Sequence, residues 1–203
     1  AWAPIFAKYE NKTPPDWQQF WVRYGRYVEK HRMQLEPLTG EHLQTMSKRI
    51  KEDTACGNDE WRGAEIRRLP RWLFDKLAEV LNVVETTGRW PAALMEALMV
   101  LIPKSADKHG PLDMRPLTLM SVVYRLWGAS RLGAIMGWQE LWIPDSARGF
   151  RLDSETGDVW YALATKFEDA ILNNTPLHGI TFDFAKAFDL IPHQILLRLL
   201  EEM

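Results

Sequence analysis

Two aspartates, Asp183 and Asp189, stand in an otherwise mostly apolar stretch near the C-terminal end, Thr181 to His193 (TFDFAKAFDLIPH). From His178 to Phe184 the sequence alternates. Ile180, Phe182 and Phe184 share one face, and Thr181 and Asp183 share the other, which predicts a half-buried strand. A carboxylate on the open face of a strand beside a turn can bind a metal in a cleft. It can equally cap the turn that follows. Such a metal would be a hard cation held by oxygen. The single cysteine, Cys56, and five scattered histidines offer no zinc-ligand spacing and no internal disulfide.

The elements that must position these groups follow from periodicity and punctuation. Trp17, Phe20, Trp21, Tyr24 and Val28 form one apolar helical face after Asp16, a predicted N-cap. A second helix is predicted from Thr39 through Arg49, and a polar loop over Glu52 to Gly63. A third helix opens near Pro70, turns Leu73, Leu77, Val80 and Val84 inward, and ends at Gly88. Ala97 to Ile102 and Arg115 to Leu119 are short apolar runs around a polar loop, which predicts a β-hairpin with Lys104 and Arg115 beside its loop. Ser121 caps a helix carrying Val123, Leu126, Trp127, Ser130 and Ala134. Another helix carries Trp160, Leu163, Phe167 and Ile171 and breaks at Asn173 to Pro176; a last one starts near Pro192.

Of the 203 residues, 46% are hydrophobic and 26% charged, a globular composition with enough apolar surface for a core. There is no run of about 18 apolar residues to span a membrane. The opening Ala1-Trp2-Ala3-Pro4 resembles neither a secretion signal nor a translation start, so the chain is expected to belong to a longer one. The formal net charge of −2 hides a gradient. Residues 1–96 carry 15 basic and 14 acidic side chains, residues 97–151 carry 7 and 4, and residues 152–203 carry 3 and 9. A nucleic-acid partner calls for a basic surface, and by segment totals the central stretch is the candidate.

The stretch Phe182 to Asp189 (FDFAKAFD), followed by Ile191-Pro192-His193, resembles motif A of reverse transcriptases, on the non-LTR retrotransposon and group II intron-like branch. Leu101-Ile102-Pro103-Lys104 resembles the first fingers motif of that family. Arg115 to Leu119 (RPLTL), with Ser121 and Tyr124-Arg125, resembles the second. Arg148-Gly149-Phe150-Arg151 is similar to the next motif, although the glutamine common before its Gly-Phe pair is absent. Gly57-x-Asp59, Glu65 and Leu69-Pro70 resemble the segment placed before the fingers. The similarity covers about residues 36–203.

This resemblance implies an α+β chain. Residues 1–95 would be a helical N-terminal region. Residues 96–203 would be a partial reverse transcriptase domain holding the fingers and the first strand and helix of a palm. It implies template-directed nucleotidyl transfer with two Mg²⁺ ions, Mn²⁺ being an alternative, that stabilise the attacking and leaving oxygens. Asp183 would be the catalytic carboxylate, with the carbonyl of Phe184 beside it on the metals. Lys104 and Arg115 would hold the triphosphate, one as a point charge and the other as a planar fork. Phe188 would be the gate that excludes a ribose 2′-hydroxyl. Arg125, Arg131, Arg148 and Arg151 would contact template or primer phosphates more weakly. Lys186 fits the motif with a less defined role. The implied partners are an RNA template, a DNA or RNA primer and deoxynucleoside triphosphates, inside the cell.

The Tyr/Phe-x-Asp-Asp motif that carries the family's other carboxylates does not occur in this sequence, so the chain is expected to be inactive alone. The missing palm strands should leave Ile180, Phe182 and Phe184 under-buried. The alternatives are a non-catalytic remnant that binds nucleic acid or protein, and an unrelated Mg²⁺-dependent hydrolase using Asp183 and Asp189.

Overall fold

The first helices form where the sequence supplies caps. The Asp16 carboxylate accepts from the Gln18 amide at 2.8 Å, and Thr39 accepts from the His42 amide at 3.2 Å. Each satisfies a helix-terminal N–H that has no partner within its own helix. The computed structural model describes residues 3–7, 15–107, 110–184 and 187–203. Its helices are α1 (Ala3–Phe6), α2 (Trp17–Tyr24), α3 (Gly40–Ser47), α4 (Gly63–Arg67), α5 (Arg71–Thr87), α6 (Ala92–Met95), α7 (Val122–Gln139), α8 (Thr156–Leu172), α9 (Ala187–Leu190) and α10 (His193–Glu202). Its strands are β1 (Leu98–Pro103) and β2 (Met114–Leu119), which pair antiparallel. An α+β content is therefore observed.

The chain divides into two compact units. The first runs from Met33 to Ile135, and the second joins the segment up to Arg32 with Met136–Met203. In the first unit α5 is the central helix. Pro70 precedes it and Gly88 ends it at φ 67°, where the glycine amide reaches the Val84 carbonyl at 2.8 Å. That left-handed position suits a residue without a Cβ. The buried face of α5 is Phe74, Ala78, Leu81 and Val84. Val84 lies inward as expected, but the rest of the expected face is corrected: Leu73 and Leu77 are only half-buried and Val80 is exposed. Two apolar stripes run side by side on this helix, and its packing partners cover the one shifted by a residue.

Leu43 of α3, Ile66 of α4, and Val122 and Leu126 of α7 close over that face with Leu38. Burying a side chain such as Phe74 contributes about 1.5–3 kcal/mol. The helix after the hairpin thus shares one core with the helices before it, and the expected division at residues 95/96 falls inside this unit.

Helix α4 lies at the edge of the loop expected over residues 52–63. Glu65 accepts from the Arg62 amide at 2.8 Å and starts the helix. The same loop latches α7. Asp59 Oδ2 accepts the Val122 amide at 2.8 Å, and Ser121 Oγ accepts the Tyr124 amide at 3.1 Å. Gly57 is buried beneath this start; a Cβ there would lie 2.6 Å from the Met120 carbonyl.

In the second unit α2 stacks its own aromatic face, with Trp17 and Trp21 ring centroids 5.1 Å apart. The Trp138 indole N–H donates to the His31 carbonyl. Asp158 accepts from the Glu155 amide at 2.8 Å and begins α8, which ends before Asn173 as expected. Trp160, Leu163, Phe167 and Ile171 of α8 are all exposed.

Residues 178–184 are not a strand, which corrects the sequence reading. Ile180, Phe182 and Phe184 are 80%, 80% and 78% exposed. Alternation specifies which side chains would share a face, but a strand also needs a neighbour to receive its backbone hydrogen bonds. Among the described residues none lies beside this segment.

Candidate active site

The hairpin is the best-defined part of the candidate site. Leu98 pairs with Leu119, and the ladder runs to Ile102 opposite Arg115 and Pro103 opposite Met114. Pro116, opposite Leu101, is tolerated because each strand has an open edge. The Lys104 amide donates to the Asp113 carbonyl at 3.0 Å, which carries the pairing one step past the strand ends. Lys104 therefore opposes Asp113, and Arg115 lies two residues on from Asp113. In an antiparallel pair those positions share a face as diagonal neighbours, roughly 7–8 Å apart.

A short 3-10 turn, Pro111–Asp113, closes the loop, and the Asp113 amide donates to the Gly110 carbonyl at 2.9 Å. Lys104 Nζ donates to the Leu112 carbonyl at 3.3 Å, which draws the ammonium over the loop. Arg115 is exposed, and no described side chain pairs with it. Asp107, on the same loop, is held below the usual carboxylate range by a hydrogen bond from Ser105.

The four weaker arginine candidates divide sharply. Arg131 is buried in α7. Its Nε and Nη2 donate to the two Glu85 oxygens at 2.6 and 2.5 Å, and Nη1 donates to the Glu36 carbonyl at 2.8 Å. The Trp127 indole N–H adds 2.7 Å to Glu85. Burial pushes the Glu85 carboxyl up, but the hydrogen bonds from Arg131 and Trp127 and the Arg131 charge pull it below its ordinary value. Arg131 is thus committed to the core, with no donor offered to a phosphate.

Arg151 is similarly engaged. It binds Glu140 through Nη2 at 2.6 Å and approaches Asp145 at 3.7 Å. The hydrogen bond from Arg151 holds the Glu140 carboxyl below its ordinary value, and that bond also raises the Arg151 pKa. Arg125 is half-buried, and its Nε and one Nη have no partner among the described residues. Arg148 is exposed. Glu85 and Glu36, the partners that claim Arg131, were not visible as such in the sequence. They lie 46 and 95 residues from it, and no local spacing connects them.

Asp183 and Phe184 are exposed on the irregular segment before α9, and Phe188 on α9 is 76% exposed. Lys186 and the side chain of Asp189 lie outside the described residues. Among the described residues no group of three or more histidine, cysteine or carboxylate side chains converges to hold a metal ion. Asp183 is one carboxylate, and the described residues alone do not fit a two-magnesium site. No described helix is long and apolar enough to cross a membrane.

No protein-family model matches the chain. Two curated proteins are similar to it, both named RNA-directed DNA polymerase from mobile element jockey. The protein from Drosophila melanogaster is 25% identical over 166 residues, and that from Drosophila funebris is 26% identical over 167 residues. Each match covers 80% of this chain and 18% of the relative. The chain is thus similar to one segment of these two mobile-element RNA-directed DNA polymerases. It spans about a fifth of the length of these relatives. The segments around Lys104 and Arg115 that resemble family motifs fall on a formed hairpin, whereas Phe182, Asp183 and Phe184 lie exposed outside any helix or strand.

Proposed function

We propose that this chain is the part of an RNA-directed DNA polymerase that holds the triphosphate of the incoming deoxynucleotide and supplies one catalytic carboxylate. The observation that carries the reading is the hairpin register. It sets Lys104 and Arg115 as diagonal neighbours on one face, at the loop end of the ribbon. Two cationic side chains rising from diagonal positions suit a polyanion rather than a single carboxylate. Arg115 brings a planar fork of donors, and Lys104 a point charge that can swing from the Leu112 carbonyl to a phosphate oxygen.

Residues 96–203 on this reading are the fingers and the start of a palm. Asp183 and the Phe184 carbonyl are contributions to a Mg²⁺ or Mn²⁺ site that needs further carboxylates, and Phe188 excludes the 2′-hydroxyl. Arg125, with two guanidinium nitrogens lacking a described partner, and the exposed Arg148 are the weaker arginines left to meet template or primer phosphate. The RNA template and the DNA or RNA primer are the partners of the complete polymerase. The chain alone binds nucleotide without polymerising it.

That no described carboxylate cluster includes Asp183 favours one second reading, a remnant that binds nucleic acid or protein without catalysis. That reading predicts nucleic-acid binding undisturbed by Asp183→Ala.

The test is a titration of fluorescent deoxynucleoside triphosphates into the chain. Lys104→Ala and Arg115→Ala should each weaken binding about 10- to 100-fold, the equivalent of one charged hydrogen bond. The loss should be equal for all four bases. A loss confined to one base would make Arg115 a base reader and refute the triphosphate role, as would no loss at all.

A further inference from the structure

We propose that α2 and the turn after it form a platform for single-stranded nucleic acid, separate from the hairpin. The segment Trp17–Arg32 carries four basic residues, Arg23, Arg26, Lys30 and Arg32, against one acidic residue, Glu29, in a chain whose net charge is −2. It is the part of the second unit with a basic excess. Its aromatic residues are ordered as a ladder. Trp17 stacks on Phe20 at 5.6 Å and on Trp21 at 5.1 Å, and Phe20 meets Tyr24 at 5.3 Å. Beyond the ladder, in the following turn, Tyr27 is 67% exposed.

Two guanidinium groups lie over the exposed rings. Arg23 Cζ is 5.3 Å from the Tyr24 centroid, and Arg26 Cζ is 4.7 Å from that of Tyr27. Arg26 Nη2 also donates to the Tyr27 hydroxyl at 2.7 Å. Neither arginine has a carboxylate partner among the described residues, so their charge is uncompensated. Lys30 differs, since Glu202 holds it at 3.2 Å. Gly25 keeps the turn tight against the ladder: a Cβ there would lie 2.8 Å from the Trp21 indole.

Exposed rings, guanidinium planes parallel in purpose to bases, and uncompensated positive charge are what an unpaired strand needs. Bases stack on the π-faces and phosphates meet the arginines, with no demand on sequence. A duplex hides its base faces and lacks the first of these contacts. The inference rests on the polymerase reading for the presence of a nucleic-acid partner.

The experiment is fluorescence anisotropy of labelled 20-nucleotide uridine and deoxythymidine strands and a 20-base-pair duplex, against the full 203-residue chain. Arg23→Ala with Arg26→Ala should weaken single-strand binding about tenfold at 100 mM salt. It should also flatten the log–log salt slope by about 1.4, the signature of two lost phosphate contacts on a single strand. Tyr27→Ala, at an exposed ring, should weaken binding about fivefold with the slope unchanged. Arg23→Lys with Arg26→Lys should restore the slope and only part of the affinity. The uridine and deoxythymidine arms distinguish RNA from DNA as the strand held. If the chain binds single strands and none of these variants alters affinity or slope, the platform is refuted and the polymerase reading stands. If the chain binds neither strand, the platform is refuted, while the polymerase reading is decided separately by the deoxynucleoside triphosphate titration. Duplex binding as tight as single-strand binding also refutes the platform.

Discussion

Replacing Arg131 by alanine isolates what its buried ion pair contributes. The variant removes two charged hydrogen bonds to Glu85 and one to the Glu36 carbonyl. It leaves Glu85 in its pocket with only the Trp127 indole N–H. Breaking a buried pair from one side costs about 3–5 kcal/mol, because the remaining charge loses its partner but not its burial. The Glu85 side chain is 22% exposed, so water relieves part of that cost, and about 3 kcal/mol is expected. The assay is urea unfolding followed by circular dichroism, where the midpoint should fall with the slope unchanged. The pH dependence supplies a second reading. Glu85 titrates lower folded than its ordinary value, so the pair's stability is complete above the ordinary glutamate range and is lost as pH falls through the folded value. Arg131→Ala should lose that acid-labile portion. A destabilisation under about 1 kcal/mol, with nucleic-acid affinity reduced instead, would refute the structural assignment and return Arg131 to the phosphate contacts.

Gly57→Ala should destabilise the first unit by about 2 kcal/mol, since its Cβ would press on the Met120 carbonyl, and thermal unfolding reads this directly. Asp59→Ala removes the acceptor for the Val122 amide and should cost about 1 kcal/mol, with amide exchange fastest in the first turn of α7. In a complete polymerase containing this segment, Phe188→Val should admit ribonucleotides; unchanged sugar selectivity would dispose of the gate.

Local punctuation was legible in the sequence because it is short-ranged. Asp16, Thr39 and Gly88 act on bonds within four residues of themselves, and the structure places each at its helix end. The hairpin was legible because two apolar runs flanked one polar loop. The inner face of α5 was misplaced by a residue because Leu73, Leu77 and Val80 form as good a stripe as Phe74, Ala78 and Leu81. Only the positions of α3 and α7 decide between them. Helix α4 was missed because five residues are too few for a period, although Glu65 three residues after Arg62 was a usable sign. The strand at 178–184 failed for the opposite reason. Its pattern was clear, but what makes a strand lies outside the segment. The role of Arg131 was hidden because its carboxylate partner, Glu85, is 46 residues away in sequence.

The ribbon of β1 and β2 has one ladder, two open edges and no residue of β1 buried. Its amides therefore divide into two populations. Those facing outward are already in contact with water, and those in the ladder need only the ribbon itself to part, not the core around Phe74 and Leu81. Hydrogen–deuterium exchange should thus run to completion across β1 and β2 while α5 is still protected. The loop end that carries Lys104 and Arg115 can lose its order and regain it many times within the lifetime of one folded core. A bound polyanion bridging the two cations would clamp the ladder shut, so slowed exchange at Ile102 and Arg115 would report occupancy without any change in the global unfolding rate.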